Sequence, residues 1–185
     1  MAYLLGTFPS AVMVARSRGV DIFAQGSGNP GASNVARVLG RRWGALVFVL
    51  DALKGAVPVL VGLALDTRPG AYVLVSAAVL GHMFPVTRKF RGGKGVATMG
   101  GAMLTLHPLT SIALLAMWLI VRQITGKASL ASLLITIGLP IGIAILGVPA
   151  WEIIYVITLC SLVLVRHIDN IKRLIGRREL SADSR

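Results

Sequence analysis

Acidic residues are scarce in this chain: seven Asp and Glu stand against nineteen Lys and Arg among 185 residues. Charge of either sign makes up only 14% of the sequence, where soluble domains carry about 25%. Cysteine is nearly absent. Cys160 stands alone in an apolar run, which excludes an intrachain disulfide and a thiolate metal site, and it reads as a small buried hydrophobe. His82, His107 and His167 lie far apart without metal-ligand spacing, so the reading includes no metal and no cofactor. Linkers, low-complexity tracts and internal repeats are missing too, and 1–185 reads as a single domain.

What is present is apolar and comes in blocks. Hydrophobic residues make up 55% of the chain, with a mean hydropathy of +0.78. No charge occurs between Arg68 and Arg88, from Gly95 to Val121, or from Ala128 to Trp151. Uncharged runs of about 18 residues or more read as membrane spans. The first apolar stretch has no positive residues before it, so it reads as a short first span and not as a signal peptide. The fold class is therefore all-α, a polytopic integral membrane protein. Its helical segments are expected near 1–16, 43–65, 70–87, 95–107, 108–124, 128–147 and 150–166. Pro108 and the Gly147-Val148-Pro149 turn supply breaks between apolar runs. The short segments 95–107 and 108–124 allow a reading as one tilted helix, which would leave six spans.

Charge chooses between six and seven. With seven spans, 17 of the 19 basic residues fall on one side; Arg68 lies opposite and Lys54 within a span. Loop Lys and Arg mark the cytoplasmic side, which puts the N-terminus outside and the C-terminus inside. The same bias explains a net charge of +12 with membrane lipids as partners and no nucleic acid. It does not explain why the basic residues keep company with glycine, serine and asparagine.

Three segments on that side carry the mixture. The first, Gly26-Ser27-Gly28-Asn29-Pro30-Gly31-Ala32-Ser33-Asn34-Val35-Ala36-Arg37, contains a literal GxGxxG. Without a preceding strand it is no dinucleotide fold, but its glycines, hydroxyls and amides suit an anion better than a plain turn would require. The second runs from Gly81-His82 to Arg91-Gly92-Gly93-Lys94-Gly95. It is not a Walker A loop, since Arg88 and Gly95 replace the first glycine and the Ser/Thr. A positive-inside loop accounts for its arginines and not for three glycines around a lysine. In the third, Arg166 to Leu174, His167 and Asn170 share a helical face. Asp51 and Lys54, three apart in the second span, suit either a structural pair or a ligand contact.

Together the stretches GSGNPGASNVARVLG, GHMFPVTRKFRGGKGVAT and RHIDNIKRL resemble the three motifs of the acylphosphate-dependent glycerol-3-phosphate acyltransferases, the PlsY type. VDI before the first motif and DALKG in the second span extend the resemblance over nearly the whole chain. It implies a multi-pass enzyme of the bacterial inner membrane, its active site facing the cytoplasm, that acylates glycerol 3-phosphate from acyl phosphate in phospholipid synthesis. It further implies catalytic roles for Ser27, Arg37, His167, Asn170 and Glu179. Substrate-binding roles fall to Gly28, Asn29, Gly31, Ser33, Asn34, His82, Gly92, Gly93, Lys94, Gly95 and Ser129. The sequence departs from the family pattern at Pro30, Ser33 and Gly176. The HxxxxD motif of other glycerophosphate acyltransferases is missing, because Thr87, Ile112 and Lys172 stand five residues after the three histidines. An anion transporter or channel is the alternative class, but transporter sites lie near the midplane at a repeat interface, and no repeat is present.

The charge count generates a test of sidedness. With Cys160 removed, single cysteines at positions 33 and 181 are expected to resist an impermeant thiol reagent in intact cells and to react after permeabilisation. Labelling at 181 alone in intact cells would establish an even number of spans.

Overall fold

The computed structural model describes residues 1–65 and 67–182. Asp66 and 183–185, among them the basic tail residue Arg185, lie outside the described residues. The described chain is helical, with no strand. It forms α1 (Ala2–Gly6), α2 (Ser10–Arg16), α3 (Ala32–Leu39), α4 (Arg41–Ala64), α5 (Arg68–Met83), α6 (Val96–Leu106), α7 (Pro108–Thr125), α8 (Ala128–Ile145), α9 (Ala150–Val165) and α10 (Ile168–Ile175). They fall into two compact units, Met1–Leu106 and the part from His107 onward.

Each of the seven expected apolar segments is helical over most of its length, and four or five are long enough to cross a bilayer by themselves. Four segments, Arg41–Ala64, Arg68–Arg88, Pro108–Thr125 and Ala128–Ile145, are long and apolar enough to cross a bilayer; α9 and α10, bent by 59°, make a fifth if counted as one. The first segment is interrupted at Pro9, which leaves helices of 5 and 7 residues. At 11 residues, α6 rises only about 16 Å at 1.5 Å per residue. A bilayer core is about 30 Å thick. The break between α6 and α7 falls at His107, where Pro108 takes the first helical position, and excludes one continuous tilted helix. One helix was not expected: α3, eight residues long, lies inside the first polar segment, while α10, also eight residues, follows the helical spacing of His167 and Asn170.

In the first unit α4 is the central helix, packed against α3, α5 and α6. Lipid tails are as apolar as leucine, so hydrophobicity does not drive these helices together; close backbone approach does. Where α4 meets α6, a Cβ on Gly55 would lie 1.8 Å from the Thr98 carbonyl oxygen, and one on Gly101 would lie 2.1 Å from that of Ala52. Gly6 and Gly81 let α1 and α5 meet in the same way. Asp51 and Lys54 directly neighbour the α4 contact positions Ala52 and Gly55, and both are buried. A separate cluster of Ala11, Val12, Val14, Ala15, Ile22, Val35 and Val47 packs α2 and α3 against α4. That cluster fixes the first polar segment to the helices.

In the second unit α8 packs against both α7 and α9. Trp118 Nε1 donates to Ser132 Oγ at 3.1 Å, and His107 Nε2 meets Glu152 Oε2 at 3.2 Å where α7 and α9 begin. The faces left exposed carry Leu109, Ile112, Leu119, Ile124, Ile141 and Ile154, a composition suited to hydrocarbon.

The glycine contacts give a stability prediction. Gly55→Ala must push α6 away from α4 and is expected to cost about 1–3 kcal/mol, as overpacking does, lowering the thermal midpoint in detergent. Gly100→Ala, whose added methyl meets nothing within 4 Å, is the control and should leave the midpoint unchanged or raise it. Equal midpoints for the two variants would refute the packing account.

Candidate functional site

The first polar segment folds into a tight loop that leads into α3. Gly31 stands extended before the helix, and its carbonyl accepts from the amides of Asn34 and Val35 at 3.0 and 3.1 Å. Gly26 and Gly28 adopt φ of +60° and +67°, a region in which a side chain is strained. Asn34, 2% exposed, ties the loop from within. Its Oδ1 accepts from the Ser27 amide at 2.8 Å and from Arg37 Nη1 at 3.1 Å; its Nδ2 donates to the carbonyls of Gln25 and Ile22 at 3.0 and 3.4 Å. A carboxamide offers two lone pairs and two N–H groups, so Asn34 is saturated. The sequence reading places it among the substrate ligands; in the structure its carboxamide bonds are made within the loop and to Arg37. Ser27, Gly28, Asn29 and Arg37 are half-buried along this loop, and Ser33 is exposed.

The second segment follows α5. A 3-10 turn at Val86–Arg88 and left-handed conformations at Lys89 and Phe90 reverse the chain, which returns to donate from the Gly93 amide to the His82 carbonyl at 3.1 Å. The return is close. A Cβ on Gly92 would lie 2.1 Å from the His82 carbonyl oxygen, and one on Gly93 would lie 2.2 Å from His82 Nε2. These two glycines thus have a packing requirement of their own, whatever they do for an anion. Gly95, at φ +84°, opens into α6, and Lys94 is half-buried between them. Buried His82 lies against Gly93 on one side, with Nδ1 3.8 Å from Asp51 Oδ1 on the other. The Arg91 guanidinium stands 4.9 Å over the Phe23 ring, joining the second loop to the first.

The third segment belongs to the second unit. His167, 2% exposed, sits at the bend between α9 and α10 with Nδ1 2.8 Å from the Val163 carbonyl oxygen. A carbonyl only accepts, so Nδ1 carries the hydrogen and Nε2 is the basic nitrogen. The Val163 carbonyl thus fixes the ring at Nδ1. Asn170 Nδ2 donates to Glu179 Oε1 at 2.7 Å, and Arg173 Nε pairs with Glu179 Oε2 at 2.9 Å. Ser129 faces the same carboxylate from the first turn of α8; its Oγ misses strict hydrogen-bond geometry but lies near enough to favour the charge. Burial pushes the Glu179 carboxyl up, but the hydrogen bonds from Arg173 and Asn170, the nearby Ser129 hydroxyl and the Arg173 charge outweigh it and hold it below its ordinary value. The tail is pinned by the Ala182 amide, which donates to the Gly126 carbonyl at 2.6 Å.

These loops stand on a chain that matches known proteins almost end to end. The profile described as glycerol-3-phosphate acyltransferase covers residues 1–177. The chain belongs to the glycerol-3-phosphate acyltransferase family. A glycerol-3-phosphate acyltransferase of Rubrobacter xylanophilus is 38% identical over 180 residues, 97% of this chain and 90% of that one. One of Thioalkalivibrio sulfidiphilus is 44% identical, over 96% and 89% of the two chains. The crystal structure of PlsY (YgiH), an integral membrane glycerol 3-phosphate acyltransferase, in its glycerol 3-phosphate form, superposes with a TM-score of 0.93. That chain is 38% identical, with 97% of this chain and 91% of that one covered. Its lysophosphatidic acid form gives 0.91.

Within the acyltransferase family pattern, the first unit holds Ser27, Gly28, Asn29, Gly31, Ser33, Asn34, Arg37, His82 and Gly92 to Gly95. Ser129, His167, Asn170 and Glu179 lie in the second. Three neighbours of His82 carry no role in the motif reading. Ser10, Asp51 and Lys54 form a buried hydrogen-bonded group beside it. The spacing of Asp51 and Lys54 was a visible signal; nothing in the sequence marks Ser10.

The Glu179 network predicts a pH-dependent stability. Because the folded state depresses this carboxyl, the unfolded chain binds its proton first as pH falls. The stabilisation is fully present above the ordinary glutamate value of about 4.3, and it fades as pH falls through the lower folded value. Glu179→Gln should therefore lower the thermal midpoint at pH 7, with the gap to the parent protein narrowing below pH 4. A gap that is constant with pH would mean that the ionised carboxylate contributes nothing.

Proposed function

We infer that this enzyme transfers an acyl group from an acyl phosphate to the 1-hydroxyl of sn-glycerol 3-phosphate, giving 1-acylglycerol 3-phosphate and inorganic phosphate in phospholipid synthesis. The observation that carries the reading is the nearly end-to-end match to a structure described as a glycerol 3-phosphate form. Sidedness follows the basic residues: a multi-pass protein of the bacterial inner membrane, about seven crossings, motifs toward the cytoplasm.

The residue inventory suits this reaction. In an acyl phosphate the bond from acyl carbon to phosphate oxygen is already activated. As the glycerol oxygen forms its bond to that carbon, the electron pair of the breaking bond leaves with phosphate. No covalent enzyme intermediate is required, and positioning alone can supply about 7–11 kcal/mol. Ser27, Asn29 and the neighbouring amides of the first loop are assigned to the acyl-phosphate group. Arg37 and Lys94 balance the dianion of glycerol 3-phosphate. His167 takes the proton of the attacking hydroxyl on Nε2, with Nδ1–H held by Val163. Glu179, paired with Asn170 and Arg173, holds α10 in place and leaves His167 as the base.

An assay of purified enzyme with acyl phosphate, acyl-CoA and acyl carrier protein as donors tests the reaction. Turnover is expected with acyl phosphate, and comparable direct turnover of acyl-CoA would overturn the assignment. For the base, His167→Gln should lower kcat by about 10²–10⁴-fold, the usual worth of acid–base catalysis, with KM values little changed. An intact kcat with a raised KM for glycerol 3-phosphate would make His167 a substrate ligand and pass the proton to the donor's own phosphate.

A further inference from the structure

Asp51 and Lys54 lie mid-way along α4, 2% and 3% exposed, where an ionised side chain is costly unless it is paired. They are paired closely: Lys54 Nζ meets Asp51 Oδ1 at 2.6 Å and Ser10 Oγ at 2.7 Å, and Ser10 Oγ donates to the same carboxylate oxygen. Two of these three contacts converge on Oδ1. Two elements meet there, since Ser10 opens α2 just after the break at Pro9 while Asp51 and Lys54 belong to α4.

The arrangement does more than neutralise a charge. The oxygen that receives Lys54 and Ser10 is also the one 3.8 Å from His82 Nδ1. That is beyond a hydrogen bond, yet well within the reach of a buried carboxylate on a ring N–H. The opposite edge of the ring, Nε2, lies where a Cβ on Gly93 would be, and the Gly93 amide donates to the His82 backbone carbonyl. His82 therefore stands between a fixed carboxylate and the glycine-lysine loop. A small pocket lined by Ser10, Lys54, His82, Arg88 and Gly93 opens beside it. A purely structural ion pair in α4 would be served by any neighbour of opposite charge; one whose shared oxygen faces the histidine that shapes a substrate loop has a further use.

We propose that Asp51, fixed by Lys54 and Ser10, is a positioning residue: it sets the orientation of the His82 ring, and through the ring the conformation of Gly92 to Gly95 and the place of Lys94. The proposal rests on the assignment of that loop to glycerol 3-phosphate. Its variants separate loop positioning from plain stability. Asp51→Asn leaves Lys54 buried without its counter-charge, so it should both lower the thermal midpoint and raise the KM for glycerol 3-phosphate. That rise should be about 10- to 100-fold, the usual worth of a residue that orients a binding group, with kcat changed less than about threefold. The double variant Asp51→Asn/Lys54→Met removes both charges together and should restore the midpoint while the KM stays raised. Recovery of midpoint and KM together would reduce the pair to a clamp between α2 and α4 and overturn the proposal. A second readout needs no turnover. In ¹⁵N-histidine-labelled protein, with signals assigned by single His→Gln variants, Asp51→Asn should move the His82 ring resonances and leave those of His107 and His167 in place. Unmoved His82 resonances would overturn the proposal whichever donor the enzyme uses.

Discussion

Inside a bilayer the solvent is as apolar as the side chains, so helices gain nothing by hiding leucine from it. What remains is contact at short range, and in this protein that means backbone against backbone. The two opposed glycine contacts between α4 and α6, at Gly55 and Gly101, bring main chains to a separation no other residue allows. The rest of the first unit depends on that approach. It holds the α4 segment carrying Asp51 and Lys54 at fixed depth, and it anchors the helix that begins directly after Gly95. The same glycine logic at Gly6 and Gly81 holds the broken first helix against α5 and so places Ser10. Polar chemistry at the ends of these helices is built on apolar geometry in their middles.

The helices were largely legible in the sequence because their signal is compositional. Uncharged runs, punctuated by Pro108 and the Gly147-Val148-Pro149 turn, located all seven apolar segments to within a few residues. Span number was less legible. A run can be apolar throughout and still be cut by one proline, as at Pro9, or be too short to cross alone, as α6 is. The eight-residue helix α3 escaped because it lies within a polar motif, where only Asn34 and Val35 mark the buried side and periodicity has no room to show.

The motif residues were legible as a set and less so in their roles. Serine, asparagine and glycine beside arginine announce a site for an anion, but a turn does not reveal which side chains point inward. Asn34 turned inward, and Gly92 and Gly93 proved to be spaces filled by His82 and Met83. Partners distant in sequence stayed hidden for a simpler reason. Ser10, Asp51 and His82 come from three separate helices, and only the folded chain puts them around one oxygen.

The saturation of Asn34 has a thermodynamic consequence. A loop whose only fully buried amide is already committed to four internal bonds has little conformational freedom left to lose when a ligand arrives. Occupying it then costs little ordering entropy, since most of that cost is met during folding. Calorimetry of such a site would record a small heat-capacity change, because almost no apolar surface is newly covered. Affinity would be set chiefly by desolvation of the anion and would weaken with salt.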